Sequence, residues 1–353
     1  MSAQLIGHEF QRDALSHLLA TRRLPSTMML AGVPGIGKSL VAKELARSIF
    51  CEKNAPFFSK TDTVPTSPVV YGGCGTCRRC HVFDAGNHPD FHFIESSDRD
   101  NWNVERVREL LYSLHLASFG GNARVILFNN AESFSVQISN TLLKIFEEPQ
   151  PFIYFILVTS NPSKLPPPLL SRCQIWFFDA LRDEQVAAVL KERPTPTATE
   201  SATQALSPQE LAVLADGSLQ SIEDIDRHHG DWELIKDKLD YISGGSLSTA
   251  SLFAASIAKD KERLPQLLQL MRIYGRRRMI EAAREGNSRR ELCARWALFL
   301  ENILAADYYL FERNLAPLPV LSVIFSALAG EISPRASVEC FMNSGTLLSE
   351  IAT

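Results

Sequence analysis

A glycine-rich run near the amino terminus has the residue types and spacing of a phosphate-binding loop. Gly32, Gly35 and Gly37 precede Lys38 and Ser39 in the pattern GxxxxGK[ST], between the apolar run TMMLA and a helical pattern from about Leu40. Such glycines turn backbone N–H groups toward phosphate oxygens, the lysine neutralises the β and γ phosphates, and the serine hydroxyl ligates Mg²⁺. We expect a pocket that binds or once bound ATP with Mg²⁺. A turn that binds nothing is the alternative.

The acids that ATP hydrolysis needs are missing where they are expected. A hydrolysing pocket has a Mg²⁺-binding carboxylate at the end of a neighbouring strand, followed by a glutamate that prepares water. The run RVILF ends instead in Asn129 and Asn130, and an amide neither carries charge nor takes a proton near neutral pH. Glu95 precedes a polar loop, Asp179 suits a helix N-cap, and Glu132 lies a turn further along. We therefore predict weak hydrolysis.

A cluster of cysteines has the spacing of a metal site. Four thiolates could close a tetrahedral and therefore structural Zn²⁺ site: Cys51, Cys74, Cys77 and Cys80. An iron–sulfur cluster and unligated thiols are the alternatives, and no proline follows the last cysteine as it does in ferredoxins. His81 and His88 are alternatives to Cys51 as the fourth ligand. A metal here would hold a segment rich in Pro, Ser, Thr and Gly.

The elements that must position these residues follow from the alternation of short apolar runs with helical patterns between Thr27 and Asp179. This alternation predicts a parallel sheet flanked by helices. One predicted helix places four apolar residues on a single stripe: Val104, Val107, Leu111 and Leu114. After Asp179 the strand patterns end, and a helix is expected from Arg182 to about Glu192. We expect an α/β phosphate-loop domain at 1–179 with a zinc-binding insertion at about 51–90, a small helical domain at 180–243, and an all-α domain at 244–353.

Composition sets the class of protein. The chain has 353 residues, 45% hydrophobic and 22% charged, with a formal net charge of -4, which is typical of a soluble globular protein and unlike a surface built to coat nucleic acid. Its start does not read as a signal peptide, so we expect a cytoplasmic protein. A basic cluster fits an ion-paired or solvated helix face better than a DNA contact: Arg272, Arg276, Arg277 and Arg278.

Together these motifs resemble the clamp-loader branch of the AAA+ ATPases over roughly residues 5–226. The resemblance lies in blocks that follow one another in the order of that family: LIGHE from Leu5, GVPGIGKS from Gly32, the cysteine module, NHPDF from Asn87, SNTLLKIFEEP from Ser139 and LLSRC from Leu169. The combination is more specific than any single block. It implies an AAA+ domain, a helical lid at 180–243, and a collar at 244–353 that joins five subunits.

The resemblance also implies roles for single residues. Arg172 of the Ser-Arg-Cys motif is similar to the arginine finger that reaches the ATP of a neighbouring subunit, and Thr159 resembles the position that senses the γ-phosphate. Motor subunits carry Asp-Glu where Asn129 and Asn130 stand, and an arginine where this chain has Gln220. A retained finger beside a weakened pocket resembles the edge subunit of the pentamer, which need not hydrolyse ATP itself.

The partners implied are the other loader subunits, of the gamma/tau and delta kinds, and through the complex the sliding clamp and primer-template DNA. Two alternatives stay open from the sequence. One is an active ATPase motor subunit of the gamma/tau kind. The other is a zinc-dependent nucleic-acid-binding module.

Overall fold

The computed structural model describes residues 5–58, 68–95, 104–114, 123–192, 208–215, 217–285 and 289–330. Parts of the predicted insertion, lid and collar therefore lie outside the described residues, as does most of the low-complexity loop from Pro194. The chain divides into two compact units, Met1–Arg193 and Pro194–Thr353. Each unit has its own arrangement of elements.

The first unit contains a five-stranded parallel sheet in the order β2-β3-β4-β1-β5. The strands are β1 (Thr27–Gly32), β2 (Phe91–Glu95), β3 (Arg124–Asn129), β4 (Ile153–Thr159) and β5 (Gln174–Phe178). The central strands are buried almost throughout, as expected for a sheet covered by helices on both faces. This confirms the predicted parallel α/β sheet, which fits an AAA+ fold.

Helices connect and cover these strands. They are α1 (Glu9–Ala20), α2 (Lys38–Phe50), α3 (Arg78–Asp84), α4 (Val104–Ser113), α5 (Val136–Glu147), α6 (Pro167–Leu170) and α7 (Asp183–Glu192). The predicted stripe of α4 does face the core: Val107, Leu111 and Leu114 are buried, and Val104 packs against the same cluster. A bidentate ion pair from Arg12 to Glu44, with both distances 2.9 Å, joins α1 to α2.

The second unit is helical throughout its described residues. Its helices are α8 (Pro208–Ala215), α9 (Leu219–Arg227), α10 (His229–Ser243), α11 (Leu247–Ala258), α12 (Leu264–Arg284), α13 (Arg290–Asp307) and α14 (Pro317–Ala329). They enclose an apolar core in which Trp296, Phe299 and Phe325 are fully buried. None of the described helices, in either unit, has the length and apolar character needed to cross a membrane.

The division of the helical part into a lid and a collar at residue 243 stays a prediction. The predicted ion-paired helix face is present for part of the basic cluster. Arg277 pairs with Glu281 at 2.8 Å, and Arg278 pairs with Asp240 at 2.9 Å and with Glu281 at 2.8 Å.

Candidate functional site

The phosphate-binding loop occupies the position that its chemistry requires, between β1 and α2. Gly32 ends the strand so close to β5 that a Cβ atom there would lie 2.3 Å from the carbonyl oxygen of Phe178. Gly37 precedes the first turn of α2 with φ 98°, a conformation that side chains rarely adopt. The loop therefore turns directly into the amino end of α2, whose first backbone N–H groups have no partner within the helix and suit an anion.

Lys38 is buried, and its ammonium group points back into the loop. Its Nζ donates hydrogen bonds to the carbonyl oxygens of Gly32 and Val33, both at 2.6 Å. Burial lowers the pKa of Lys38 to about 8, and the attraction of Glu132 opposes this effect. Ser39 follows on the first turn of α2, half-buried. A phosphate group would have to replace the two carbonyl contacts of the lysine.

His8 contacts the same loop. This residue belongs to the LIGHE motif, but the sequence predicted no contact for it. Its imidazole is buried, donates through Nε2 to the carbonyl oxygen of Ile36 at 2.7 Å, and meets the ring of Phe178 edge-on. Burial lowers the pKa of His8, so the ring acts as a neutral support for the loop. Because 28 residues of chain separate His8 from Ile36, the local sequence pattern did not predict this contact.

Thr159 ends β4 beside the start of the phosphate loop. It is 1% exposed, and its neighbour across the strand pair is Ala31, the residue before Gly32. Its Oγ1 accepts a hydrogen bond from the backbone N–H of Asn161 at 3.1 Å. The structure thus brings the sequence-predicted Thr159 to the same edge of the sheet as Gly32.

Two carboxylates set aside in the sequence interpretation lie at this edge as well. Glu95 is the register partner of Asn129, and its Oε1 accepts a hydrogen bond from the Asn129 side-chain amide at 2.5 Å. Glu132 accepts hydrogen bonds from the backbone N–H of Ser160, at 3.2 Å, and from its hydroxyl group. Asn130 adopts a left-handed conformation, with φ 60°, at the turn that follows β3 and leads to Glu132. Two acids therefore lie near the amides at the end of β3, one at the end of β2 and one in the turn after β3, although the positions at which a hydrolysing pocket carries its acids hold amides.

The expectation for Asp179 was wrong. Helix α7 begins at Asp183, so the residue before its first turn is Arg182 and not Asp179. The backbone N–H of Arg182 donates to Oε1 of Gln185 at 3.0 Å. Asp179 instead follows β5 directly in the chain.

Arg172 lies near the opposite end of β1 from the phosphate loop. Its carbonyl oxygen accepts a hydrogen bond from the hydroxyl of Thr27, the first residue of β1, at 2.7 Å. Its guanidinium pairs with Glu147 at 2.6 Å and donates to the carbonyl oxygen of Pro168 at 2.9 Å. The side chain is 34% exposed. It is therefore accessible from outside the chain, and it also fits a surface ion pair.

Four cysteine sulfurs converge at the far end of α2. The Sγ atoms of Cys51, Cys74, Cys77 and Cys80 all lie within 4.8 Å of one another. Zn–S bonds of about 2.3 Å would require sulfurs about 3.8 Å apart, so a small contraction would close a tetrahedral site. Backbone N–H groups already point at two sulfurs, from Cys74 to Cys51 and from Cys80 to Cys77, at 3.4 Å each. The donor set fits a structural metal.

His88 is occupied elsewhere. Its ring stacks on Phe50 with centroids 3.9 Å apart, and its Nδ1 accepts a hydrogen bond from the backbone N–H of Asp90 at 3.3 Å. The group of sulfurs that could hold a metal includes Cys51 and neither His81 nor His88. Among the ligand sets considered from the sequence, the described residues support the one with four cysteines.

Gln220 lies in the first turn of α9, in the second unit. Its side-chain amide donates to Oδ1 of Asp224, on the same helix, at 3.1 Å. A neutral side chain thus stands at the position that the resemblance assigns to a second phosphate-sensing arginine.

Comparison with known proteins identifies relatives among the subunits of DNA polymerase III. Residues 7–182 match the family model described as "DNA polymerase III, delta subunit". The chain is 31% identical over 218 residues to the tau subunit of DNA polymerase III from Salmonella typhimurium, covering 62% of this chain and 31% of tau. It is 33% identical over 197 residues to the delta prime subunit from Pseudomonas aeruginosa, covering 52% of this chain and 56% of that subunit. The matches thus span less than two thirds of these relatives.

Solved structures also resemble the chain. A protein related to the DNA polymerase III gamma subunit, from Thermotoga maritima, aligns over 90% of this chain and 99% of its own, with a TM-score of 0.37 and 14% identity.

Proposed function

Because this chain belongs to the family of DNA polymerase III clamp-loader subunits, we propose that it acts as the delta prime subunit. In this role it helps load the sliding clamp onto primer-template DNA together with gamma/tau and delta subunits. It binds nucleotide in its own pocket, hydrolyses little of it, and donates Arg172 to the pocket of a neighbouring subunit. The similarity to a delta prime subunit supports this choice.

The observation that carries the proposal is the contrast between the two ends of the first unit. At the carboxyl ends of the strands, Lys38 is intact, whereas Asn129 and Asn130 stand where a hydrolysing pocket needs a metal-binding carboxylate and a general base. Near the amino end of β1, Arg172 is anchored through its backbone to Thr27, and its guanidinium, ion-paired with Glu147, is partly exposed. The pocket can hold phosphates, and the arginine can serve another pocket.

The chemistry of this division follows from charge. Loop N–H groups and Lys38 neutralise bound phosphates, while amides do not activate water. At the neighbouring site, a guanidinium would stabilise charge that develops on the transferred phosphoryl group. Gln220 contributes no cation of its own. The cysteine cluster would hold Zn²⁺, which supplies a closed structural crosslink and no catalytic position.

The test of the proposal is Arg172→Ala in the reconstituted complex. Loss of an arginine finger lowers the rate of hydrolysis at the site it serves by about 10³-fold or more. The total DNA-stimulated rate of the complex should therefore fall by the fraction that this one site contributes. Arg182→Ala, at an exposed arginine, is the matched control and should leave the rate unchanged. Both variants should assemble normally. Equal rates for the Arg172 variant and the unaltered complex would refute the donated finger.

The active motor subunit is the second candidate, because the tau subunit matches more of this chain than the delta prime subunit does. It predicts that the purified chain alone turns over ATP and that Lys38→Ala abolishes the activity. The proposal predicts no turnover above background by the chain alone. A zinc-dependent nucleic-acid-binding module would instead bind DNA tightly in isolation and lose that binding in Cys77→Ser.

A further inference from the structure

The last turn of helix α2 and its C-cap, Cys51, form a polar face. Arg47, Ser48 and Cys51 lie at positions i, i+1 and i+4, and all three contact residues 70–84, which we call the cysteine segment. The Oγ of Ser48 accepts a hydrogen bond from the backbone N–H of Gly72 at 2.7 Å, and the sulfur of Cys51 accepts one from Cys74. The cysteine segment is therefore docked on the helix that begins at the phosphate loop.

Arg47 makes the largest set of these contacts. Its Nε and Nη2 donate to the two carboxylate oxygens of Asp84, at 2.7 and 2.6 Å, and its Nη1 donates to the carbonyl oxygen of Gly72. Gly72 lies just before Cys74 and Asp84 ends α3, so one guanidinium joins both sides of the Cys74–Cys80 turn to α2. A forked pair of this kind fixes orientation as well as distance.

Arg47 also lies close to the sulfurs. A Cβ atom added to Gly73 would lie 2.9 Å from the sulfur of Cys80 and 3.2 Å from Cγ of Arg47, so both side chains line the same narrow space beside Gly73. Zn²⁺ bound by four thiolates carries a net charge of about -2, and a cation with 15% of its side chain exposed is weakly screened by water.

We propose that Arg47 is a positioning residue of the metal centre. It clamps the cysteine segment onto α2 through Asp84 and Gly72, and it offsets the negative charge of the metal–thiolate group. The inference rests on the proposed Zn²⁺ site and adds a residue outside the cysteines to it.

The experiment measures zinc release from the purified full chain to a chelator that changes colour on binding the metal. Arg47→Met keeps the aliphatic stem and removes the charge. Losing an outer-shell partner weakens metal binding by about 10 to 100 times, so this variant should release zinc faster than the unaltered chain by up to that factor. Asp84→Asn leaves the cation in place but weakens its anchor, so an intermediate rate is expected. Arg47→Lys, which keeps the charge, should release zinc more slowly than Arg47→Met.

Arg78→Met is the matched control. Arg78 begins α3 between two of the cysteines but is exposed, so water screens its charge and the release rate should stay near that of the unaltered chain. A purely structural role for Arg47 would lower the melting temperature equally with and without zinc. The proposed role lowers it more in the zinc-loaded protein.

The outcomes separate the inference from its premise. If the unaltered chain holds no zinc, the metal centre fails and the role of Arg47 fails with it. If it holds zinc and both Arg47→Met and Asp84→Asn release the metal at the unaltered rate, the role of Arg47 alone is refuted. Should Arg47→Met not fold, faster release from Asp84→Asn would support the role and an unchanged rate would refute it.

Discussion

Lys38 combines two demands that oppose each other. Burial, which brings its ammonium group against loop carbonyls, also removes water from it and lowers its pKa to about 8. Glu132, hydrogen-bonded to Ser160 at the end of β4, attracts the ammonium group and keeps the pKa from falling further. The phosphate loop is therefore poised near the pH at which its cation is lost.

This pKa predicts how nucleotide binding depends on pH. Only the protonated lysine neutralises phosphate, so the Kd for Mg²⁺-ATP should be level up to about pH 7.5 and rise above pH 8, by up to about tenfold per pH unit. Equilibrium titration of the purified chain between pH 7 and pH 9.5 measures the effect. Lys38→Arg, whose side chain stays charged, should remove the rise. A Kd that stays constant to pH 9.5 in the unaltered chain would contradict the prediction.

Glu132 gives a second prediction at this scale. Glu132→Gln removes the attraction that raises the pKa of Lys38, so the rise in Kd should begin at a lower pH than in the unaltered chain. The same titration, run on both proteins, measures the shift. Glu148→Gln, at an exposed glutamate after α5, should leave the profile unchanged. A profile that moves to higher pH, or does not move, would show that Glu132 does not act on the lysine.

At the scale of elements, a short 3-10 helix, Glu52–Phe58, follows α2. Asn54 in it is fully buried, and its side chain donates to the carbonyl oxygens of Ser48 at 2.8 Å and Val70 at 3.0 Å. It also accepts from the backbone N–H of Val70 at 3.0 Å. One amide thus satisfies three backbone groups that join α2 to the start of the segment.

Asn54→Ala should leave these backbone groups without partners. A buried polar group that loses its partner costs about 1–3 kcal/mol, so the free energy of unfolding of the first unit should fall by at least about 2 kcal/mol. Denaturant unfolding, followed by a signal from the first unit, measures the change. Lys53→Ala, at the exposed neighbouring residue, should change stability by less than about 0.5 kcal/mol. Equal midpoints for the two variants would contradict the bridging role.

Local patterns predicted these elements well where the apolar period was strong. The stripe of α4 was identified because its buried side chains repeat with the period of a helix. The strands TMMLA and RVILF were identified as short continuous apolar runs, as expected for strands that are buried on both faces. The start of α2 was misplaced by two residues, at Leu40 instead of Lys38, because the backbone of a phosphate loop already turns into its helix. The error for Asp179 has the opposite form, since β5 ends at Phe178 and α7 begins only at Asp183.

Contacts set by strand order could not be predicted from local patterns. Glu95 and Asn129 meet because β2 pairs with β3 in one register, although 34 residues separate them. Glu132 reaches Ser160 because the two residues follow β3 and β4, which also pair. His8 meets Ile36 of the phosphate loop across 28 residues of chain, outside the strands. Neighbours in the chain do not reveal the contacts of Glu95 and Glu132, because the pairing of the strands determines which residues lie beside each acid in space. The cysteine cluster was predictable because three of its members, Cys74, Cys77 and Cys80, lie close together in the sequence.

The molecule as a whole combines an α/β unit with a helical unit that has a core of its own. Two of the long helices, α12 and α13, pack closely at Gly275. A Cβ atom there would lie 2.9 Å from the ring of Phe299, which is fully buried, and 3.2 Å from Leu300. Glycine at this position therefore sets the distance between the two helices.

Gly275→Val tests whether the two units have separate tasks. The branched side chain would push α12 from α13, and overpacking of this kind costs about 1–3 kcal/mol. If the second unit joins the chain to its partners, the variant should copurify poorly with gamma/tau and delta subunits, while its zinc content and its Kd for Mg²⁺-ATP stay unchanged. Gly230→Val is the matched control, because a Cβ atom at Gly230 in α10 meets nothing within 4 Å. Normal assembly by a Gly275→Val chain whose second unit is measurably destabilised would place the contacts with partners in the first unit instead.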